Sequence, residues 1–131
     1  VRAVVLTAGL LAVMGLITGC SSKCDSVCGN ANSCEVDERS VDVDCPEFCA
    51  DVEDFNARAQ AAEFESCDAQ FQAHLDCWEN NSSKICDAEF AGCAESAQAW
   101  VDCMTPYCEA VAAETKTDPN CSDGAPTLAP F

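Results

Sequence analysis

The apolar positions fall into distinct regimes along the chain. Behind Arg2, residues Ala3 to Ile17 form an unbroken run of 15 apolar or small residues, interrupted in character only by Thr7. From Cys45 the pattern changes to helical spacing: Cys45, Phe48, Cys49, Val52 and Phe55 share one face, and Asp51, Glu53, Asp54 and Arg58 take the other. Asp44, Pro46 and Glu47 mark the start of that helix. A long helix is predicted from about Ala59 to Glu79, with Phe64, Cys67, Phe71, Leu75 and Trp78 as its stripe, and the polar run Asn80 to Ser83 ends it. A further helix is predicted from about Asp87 to Met104 on Phe90, Cys93, Ala97, Trp100 and Met104. Pro106 breaks or kinks it, with a last turn or two over Tyr107 to Glu114. Upstream, Cys24-x3-Cys28 places two thiols on one helix face. Gly29 to Ser33 and Glu35 to Asp44 read as turn and acidic loop. Thr115 to Phe131 carries three prolines and one glycine, and reads as loop or disorder pinned once by Cys121. No segment has a convincing β alternation, so the fold class is all-α.

The leading apolar run is too short for the ~20 residues that cross a bilayer as a helix, and it matches the core of a secretory signal. Small residues stand directly before a cysteine. Leu16-Ile17-Thr18-Gly19-Cys20 resembles the lipobox of bacterial lipoproteins. That resemblance implies a signal peptide over residues 1–19, a diacylglycerol on the Cys20 thiol and a mature chain that starts at Cys20. Acyl chains hold a protein to a membrane through about 0.8 kcal/mol per buried methylene. Ser21, at the position where Asp retains members of the family in the inner membrane, implies the outer membrane. Ser21 to Lys23 is almost no linker, so Cys24 lies within about 15 Å of the lipid. The expected organisation is a leader over 1–19, a Cys-rich helical domain over 20–114 and a Pro-containing tail over 115–131.

Charge narrows the partners. The net charge is −17, and −18 once Arg2 leaves with the leader. Phosphate recognition needs Lys and Arg, so nucleic acid is excluded as a partner. Anionic lipid headgroups are repelled as well. The membrane is reached through the anchor alone, and any other partner is an envelope protein of unspecified identity.

The chain has thirteen cysteines; with Cys20 acylated, twelve remain, an even number. In an exported chain this composition is that of a disulfide scaffold with six bridges. Two pairs have equal spacing, Cys67-x9-Cys77 and Cys93-x9-Cys103. Ten residues rise about 15 Å on a helix, so two antiparallel helices bring Cys67 to Cys103 and Cys77 to Cys93 as rungs of one ladder. The small residues Ala69, Ala73, Ala94 and Ala97 are expected to permit the close approach. The twin Cys-x3-Cys pairs follow the same rule, Cys24 with Cys49 and Cys28 with Cys45. Two stapled helix pairs result. Cys34, Cys86, Cys108 and Cys121 allow three connectivities. The spacing over 67–103 resembles the twin Cx9C hairpins of mitochondrial intermembrane-space proteins. The 24–49 spacing resembles the twin Cx3C chaperones of the same compartment. What these likenesses imply is the hairpin geometry. The chain as a whole resembles the small Cys-rich lipoproteins of myxobacteria, with Cys67-Asp68-Ala69-Gln70-Phe71 after the Cys-x3-Cys start.

Candidate chemistry is sparse. There is no Cys-x2-Cys and only one histidine, so thiolate metal sites, haem attachment and redox dithiols are not expected. Asp37, Glu38, Asp42 and Asp44 make an acidic cluster. Asp118, Asn120 and Asp123-Gly124 superficially resemble a calcium loop without its spacing. His74 reads as a partly packed side chain, Trp78, Trp100, Phe71 and Phe90 as core, and Ser21, Ser22 and Ser82 have no base beside them. The expected function is a non-catalytic, lipid-anchored structural or interaction protein of the cell envelope, with no cofactor. The alternative is an envelope lipoprotein that binds a cation or small ligand.

Overall fold

The computed structural model describes residues 20–35, 42–129 and 131, with Cys20 to Ser22 described by backbone alone. The leader, the lipobox positions before Cys20, and Asp37 and Glu38 of the acidic cluster lie outside the described residues. Four helices carry the fold: α1 Cys20–Asn32, α2 Cys45–Ala61, α3 Asp68–Asn80 and α4 Ala94–Ala113. A single 3₁₀ turn, Ser82–Lys84, and two short strands, β1 Cys121–Ser122 and β2 Ala125–Pro126, complete it. The chain is all-α and disulfide-rich. α1 packs on α2 and α3 on α4; α1 also meets α3, and the small hairpin lies on α4.

The bridges follow that plan. Cys24–Cys49 and Cys28–Cys45 staple α1 to α2 with Cα atoms 6.0 and 5.7 Å apart. Cys67–Cys103 and Cys77–Cys93 staple α3 to α4 at 5.7 and 5.8 Å. The connectivity left open by the spacing is Cys34–Cys86 and Cys108–Cys121. The first joins the two hairpins, and the second joins α4 to β1. All the Cα separations lie in the range that a disulfide requires. The rungs are set differently from the expected face-to-face ladder. Cys67 and Cys93 are the residues preceding α3 and α4, and each reaches into the partner helix. Ala69, Ala73 and Ala94 are therefore exposed, not wedged between helices. Between the rungs stand Phe71, Leu75, Trp100 and Met104, all buried. Lys23 ties α1 to α3 through Asp76 and, at 3.6 Å, Glu79.

The predicted helix from Ala59 to Glu79 is two helices. α2 starts as read, with the Asp44 side chain accepting from the Glu47 N–H at 3.0 Å and Pro46 in its first turn. It stops at Ala61 because Glu63 turns into the left-handed region at φ 64°. The Phe64 N–H then returns to the Ala59 carbonyl at 2.9 Å and the Glu63 N–H to the Gln60 carbonyl at 3.0 Å. That pair of bonds is a Schellman motif, ordinarily built on glycine. The chain re-enters α3 where buried Asn56 accepts from the Cys67 N–H at 2.9 Å.

The next helix, α4, starts seven residues later than read and ends nine later. Asp87 to Cys93 is a series of turns, so Phe90 is a loop residue. Pro106 lies inside α4 without ending it. It is exposed, as is Asp102, whose carbonyl loses its helical donor. Bridges at Cys103 and Cys108 hold the helix on either side. α4 ends as α2 does: Thr115 is left-handed at φ 54°, with Thr115 N–H to Ala112 carbonyl and Lys116 N–H to Val111 carbonyl bonds of 3.1 and 3.0 Å.

The tail is folded, contrary to the loop expected of it. Asp123 and Gly124, both at positive φ (51° and 82°), form the two-residue turn of a hairpin that pairs Cys121 with Pro126 and Ser122 with Ala125. Asp-Gly is the sequence such a turn favours. Leu128 is buried beyond it.

Each left-handed Glu63 and Thr115 opposes its Cβ sterics at about 1 kcal/mol. Glu63→Gly and Thr115→Gly are expected to raise stability by about 0.5–1 kcal/mol each, after the entropy of the added glycine. Guanidinium unfolding of the oxidised protein measures it; a loss at both positions would contradict the motif.

Candidate functional site

An aromatic concavity of about 450 Å³ lies between α3 and the 87–93 turns. His74, Trp78, Phe90, Ala97, Phe131 and Glu89 line it. This is within the ~300–1,000 Å³ of small-molecule sites. Trp78 and Phe90 have ring centroids 5.8 Å apart, and Trp78 and His74 6.3 Å in an edge arrangement. Phe90 is folded back over Gly92, where an added Cβ would stand 2.3 Å from the ring. Glycine at 92 is what lets Phe90 form this wall. Glu89 is exposed at the edge, its N–H held by the Asp87 side chain at 3.1 Å.

His74 is buried, 1% exposed, and is sandwiched against Trp100 with ring planes 19° apart. Its Nδ1 lies 3.0 Å from Ser96 Oγ, and the Ser96 hydroxyl donates to the Cys93 carbonyl at 2.9 Å. Nε2 is buried. Burial pushes the imidazole pKa below its ordinary 6.5, and a hydrogen bond with the Phe131 main chain opposes part of that.

The tail completes the concavity. Phe131 stacks near Phe48 and His74 at 5.2 and 6.2 Å, and its carbonyl accepts from Trp78 Nε1 at 2.7 Å. What docks the tail is a polar knot. Arg58 grips Asp118 with two hydrogen bonds, Nε to Oδ2 at 2.7 Å and Nη2 to Oδ1 at 3.2 Å, and also donates to Asn120 Oδ1. Tyr107 Oη donates to Asp118 at 2.9 Å, as does the Asn120 N–H. Burial raises the Asp118 pKa, but the bonds from Arg58, Asn120 and Tyr107 outweigh it and hold the carboxyl below its ordinary 3.8. Burial and the bond to Asp118 raise that of Tyr107.

The sequence singled out Asp118, Asn120 and Asp123-Gly124 only for a superficial likeness to a calcium loop. In the structure Arg58 holds the first two and the hairpin turn uses the other two. Asp44 caps α2. Among the described residues no group of three or more His, Cys, Asp or Glu side chains is placed to hold a metal ion. The twelve cysteines expected to pair are all paired, and Cys20 is described only by its backbone, as the first residue of α1. The partners of Arg58, Tyr107 and Ser96 leave no sequence signal, since nothing in their spacing links them to the tail or to His74. Asp118-Pro119-Asn120 was a visible turn signal.

No protein-family model, curated protein or solved structure matches this chain.

Acid should act in two stages. His74, with its folded pKa lowered, binds its proton more readily when unfolded, so stability is full above pH 6.5 and declines as pH falls below it. Asp118 contributes stability that is present above pH 3.8 and lost as pH falls through its lower folded value. Unfolding midpoints measured against pH should show both stages, His74→Phe removing the first. Asp118→Asn should remove the second and raise amide exchange over 115–129 at neutral pH.

Proposed function

We propose that this chain is a non-catalytic, lipid-anchored module of the bacterial cell envelope, serving as a structural or interaction surface. The observation that carries the reading is the lipobox Leu16-Ile17-Thr18-Gly19-Cys20. Cysteine parity supports it independently, because Cys20 is the one thiol outside the six bridges. Cys20 and Cys24 both lie in α1. Four residues of helix rise about 6 Å, so an acylated Cys20 would set the first bridge, at Cys24, almost on the bilayer surface. Among the described residues no helix is long and apolar enough to cross a membrane. The outer membrane is the destination that Ser21 favours.

Rigidity suits a surface that works by shape. Each bridge contributes about 2–4 kcal/mol, and together they fix a chain with a thin apolar core. A second reading is favoured by one observation, the aromatic concavity beside the buried His74: the module holds a small ligand.

Fractionation and intact mass test the anchor. The expected result is a membrane-bound chain starting at Cys20, with a diacylglycerol on it and no thiol that alkylates without reductant. Cys20→Ser should leave the membrane. Two or more reactive thiols, or a cytosolic protein with its leader uncut, would overturn the reading.

A further inference from the structure

We infer that Cys34–Cys86 is a thiol-exchange site, the bridge that an external dithiol opens while the protein stays folded. Its partner is an oxidoreductase that presents a dithiol at its surface. The inference depends neither on the lipid anchor nor on the concavity holding a ligand.

Three observations set this bridge apart from the other five. Cys34 lies in the bend after α1 and Cys86 in the turn after the 3₁₀ segment, so neither belongs to a helix or strand. Each of the other bridges has at least one cysteine inside a helix. Cys34 and Cys86 are both half-buried, whereas every other bridge has at least one buried partner, drawn from Cys24, Cys49, Cys28, Cys67, Cys93 and Cys108. Cys34–Cys86 is also the one bridge between the two stapled hairpins.

The exchange runs in two steps. A thiolate of the partner attacks one sulfur of the bridge and displaces the other as a thiolate. The partner's second thiol then resolves the mixed disulfide. Two electrons and two protons pass to Cys34 and Cys86, and the partner leaves with its own disulfide. The attacking sulfur needs room in line with the S–S bond, and turns yield that room by local opening at less cost than packed helices. A helix-borne pair stays apposed after reduction and recloses, whereas two turns are free to part.

The consequence is local. Each hairpin keeps its own two bridges, and Phe48 of α2 still packs on Phe71 and Trp100. The stretch from Asn81 to Gly92 loses its tie to α1 and is left with buried Ile85 and the Cys77–Cys93 bridge that closes it. That stretch carries Phe90, whose ring faces Trp78 across 5.8 Å. The bridge therefore sets how firmly this wall of the concavity stands.

The experiment treats the full oxidised chain, its Cys20 thiol acylated or already blocked, with limiting dithiothreitol and, separately, with a protein carrying a reduced Cys-x-x-Cys dithiol. Released thiols are trapped by alkylation and located by peptide mass. Cys34 and Cys86 are expected to label together, at least about tenfold faster than any other cysteine, with both reagents. Another pair labelled first overturns the site, and labelling by dithiothreitol without labelling by the protein overturns the partner. Cys34→Ser combined with Cys86→Ser should leave a folded chain with five bridges. Its amide exchange over 81–92 should rise at least about tenfold, with that of α2 and α4 unmoved. A double variant that does not fold, or one with unchanged exchange over 81–92, overturns the local opening.

Discussion

Sulfur linkage fixes the register of every helix in this protein. Once Cys24 meets Cys49 and Cys28 meets Cys45, α1 and α2 have neither rotation nor slide left relative to each other. Cys67–Cys103 and Cys77–Cys93 do the same for α3 and α4. Two rungs per hairpin define a plane, and the buried Phe71, Leu75, Trp100 and Met104 fill the space that plane allows. The apolar core thus packs within a frame set by the bridges. This explains how a chain so acidic keeps its shape: self-repulsion acts on the folded and unfolded states, but the crosslinks remove much of the entropy that unfolding would gain.

The frame tolerates local choices that a freer protein would avoid. α2 and α4 both end in glycine-type caps with Glu63 and Thr115 in the left-handed position. Pro106 lies inside α4, between two bridged residues. In each case the strain is local, and a covalent tie nearby prevents the chain from relaxing away from it. The same tie at Cys108–Cys121 holds a hairpin of two residues per strand, which would not persist by its own pairing. The Arg58–Asp118–Tyr107 knot then carries the chain on to Leu128 and Phe131, and thereby to the edge of the aromatic concavity.

What the sequence made legible was what spacing controls. Equal separations between cysteines predicted four pairs because helical rise is a constant of the backbone. The start of α2 was legible from Asp44, Pro46 and Glu47. The join between α2 and α3 was not, because the stripe of Phe64 and Cys67 keeps helical spacing across a break made by a glutamate where glycine is the usual signal. Phe90 likewise fits the stripe of α4 while lying in a turn, held there by Gly92. The Asp123-Gly124 turn was in plain view, and the weak flanking pattern hid it. The concavity itself was illegible: it depends on where the tail returns, and on Phe90 folding back over Gly92, neither of which leaves a periodic trace.

The pattern of bridges has one more consequence, for what happens when the chain is cut. Every segment joining one helix to the next is spanned by at least one bridge: three cross the gap between α1 and α2, and Cys34–Cys86 alone encloses the α2–α3 join. A nick in any of these leaves a single covalent molecule with both ends still in place. Between Cys24 and Cys121 only the peptide bonds from Cys103 to Cys108 lie outside every loop of sulfur. Those bonds run through α4, where Met104 and Tyr107 are buried. Between Cys24 and Cys121, the stretch where a protease would separate the molecule into two is therefore wound inside a helix.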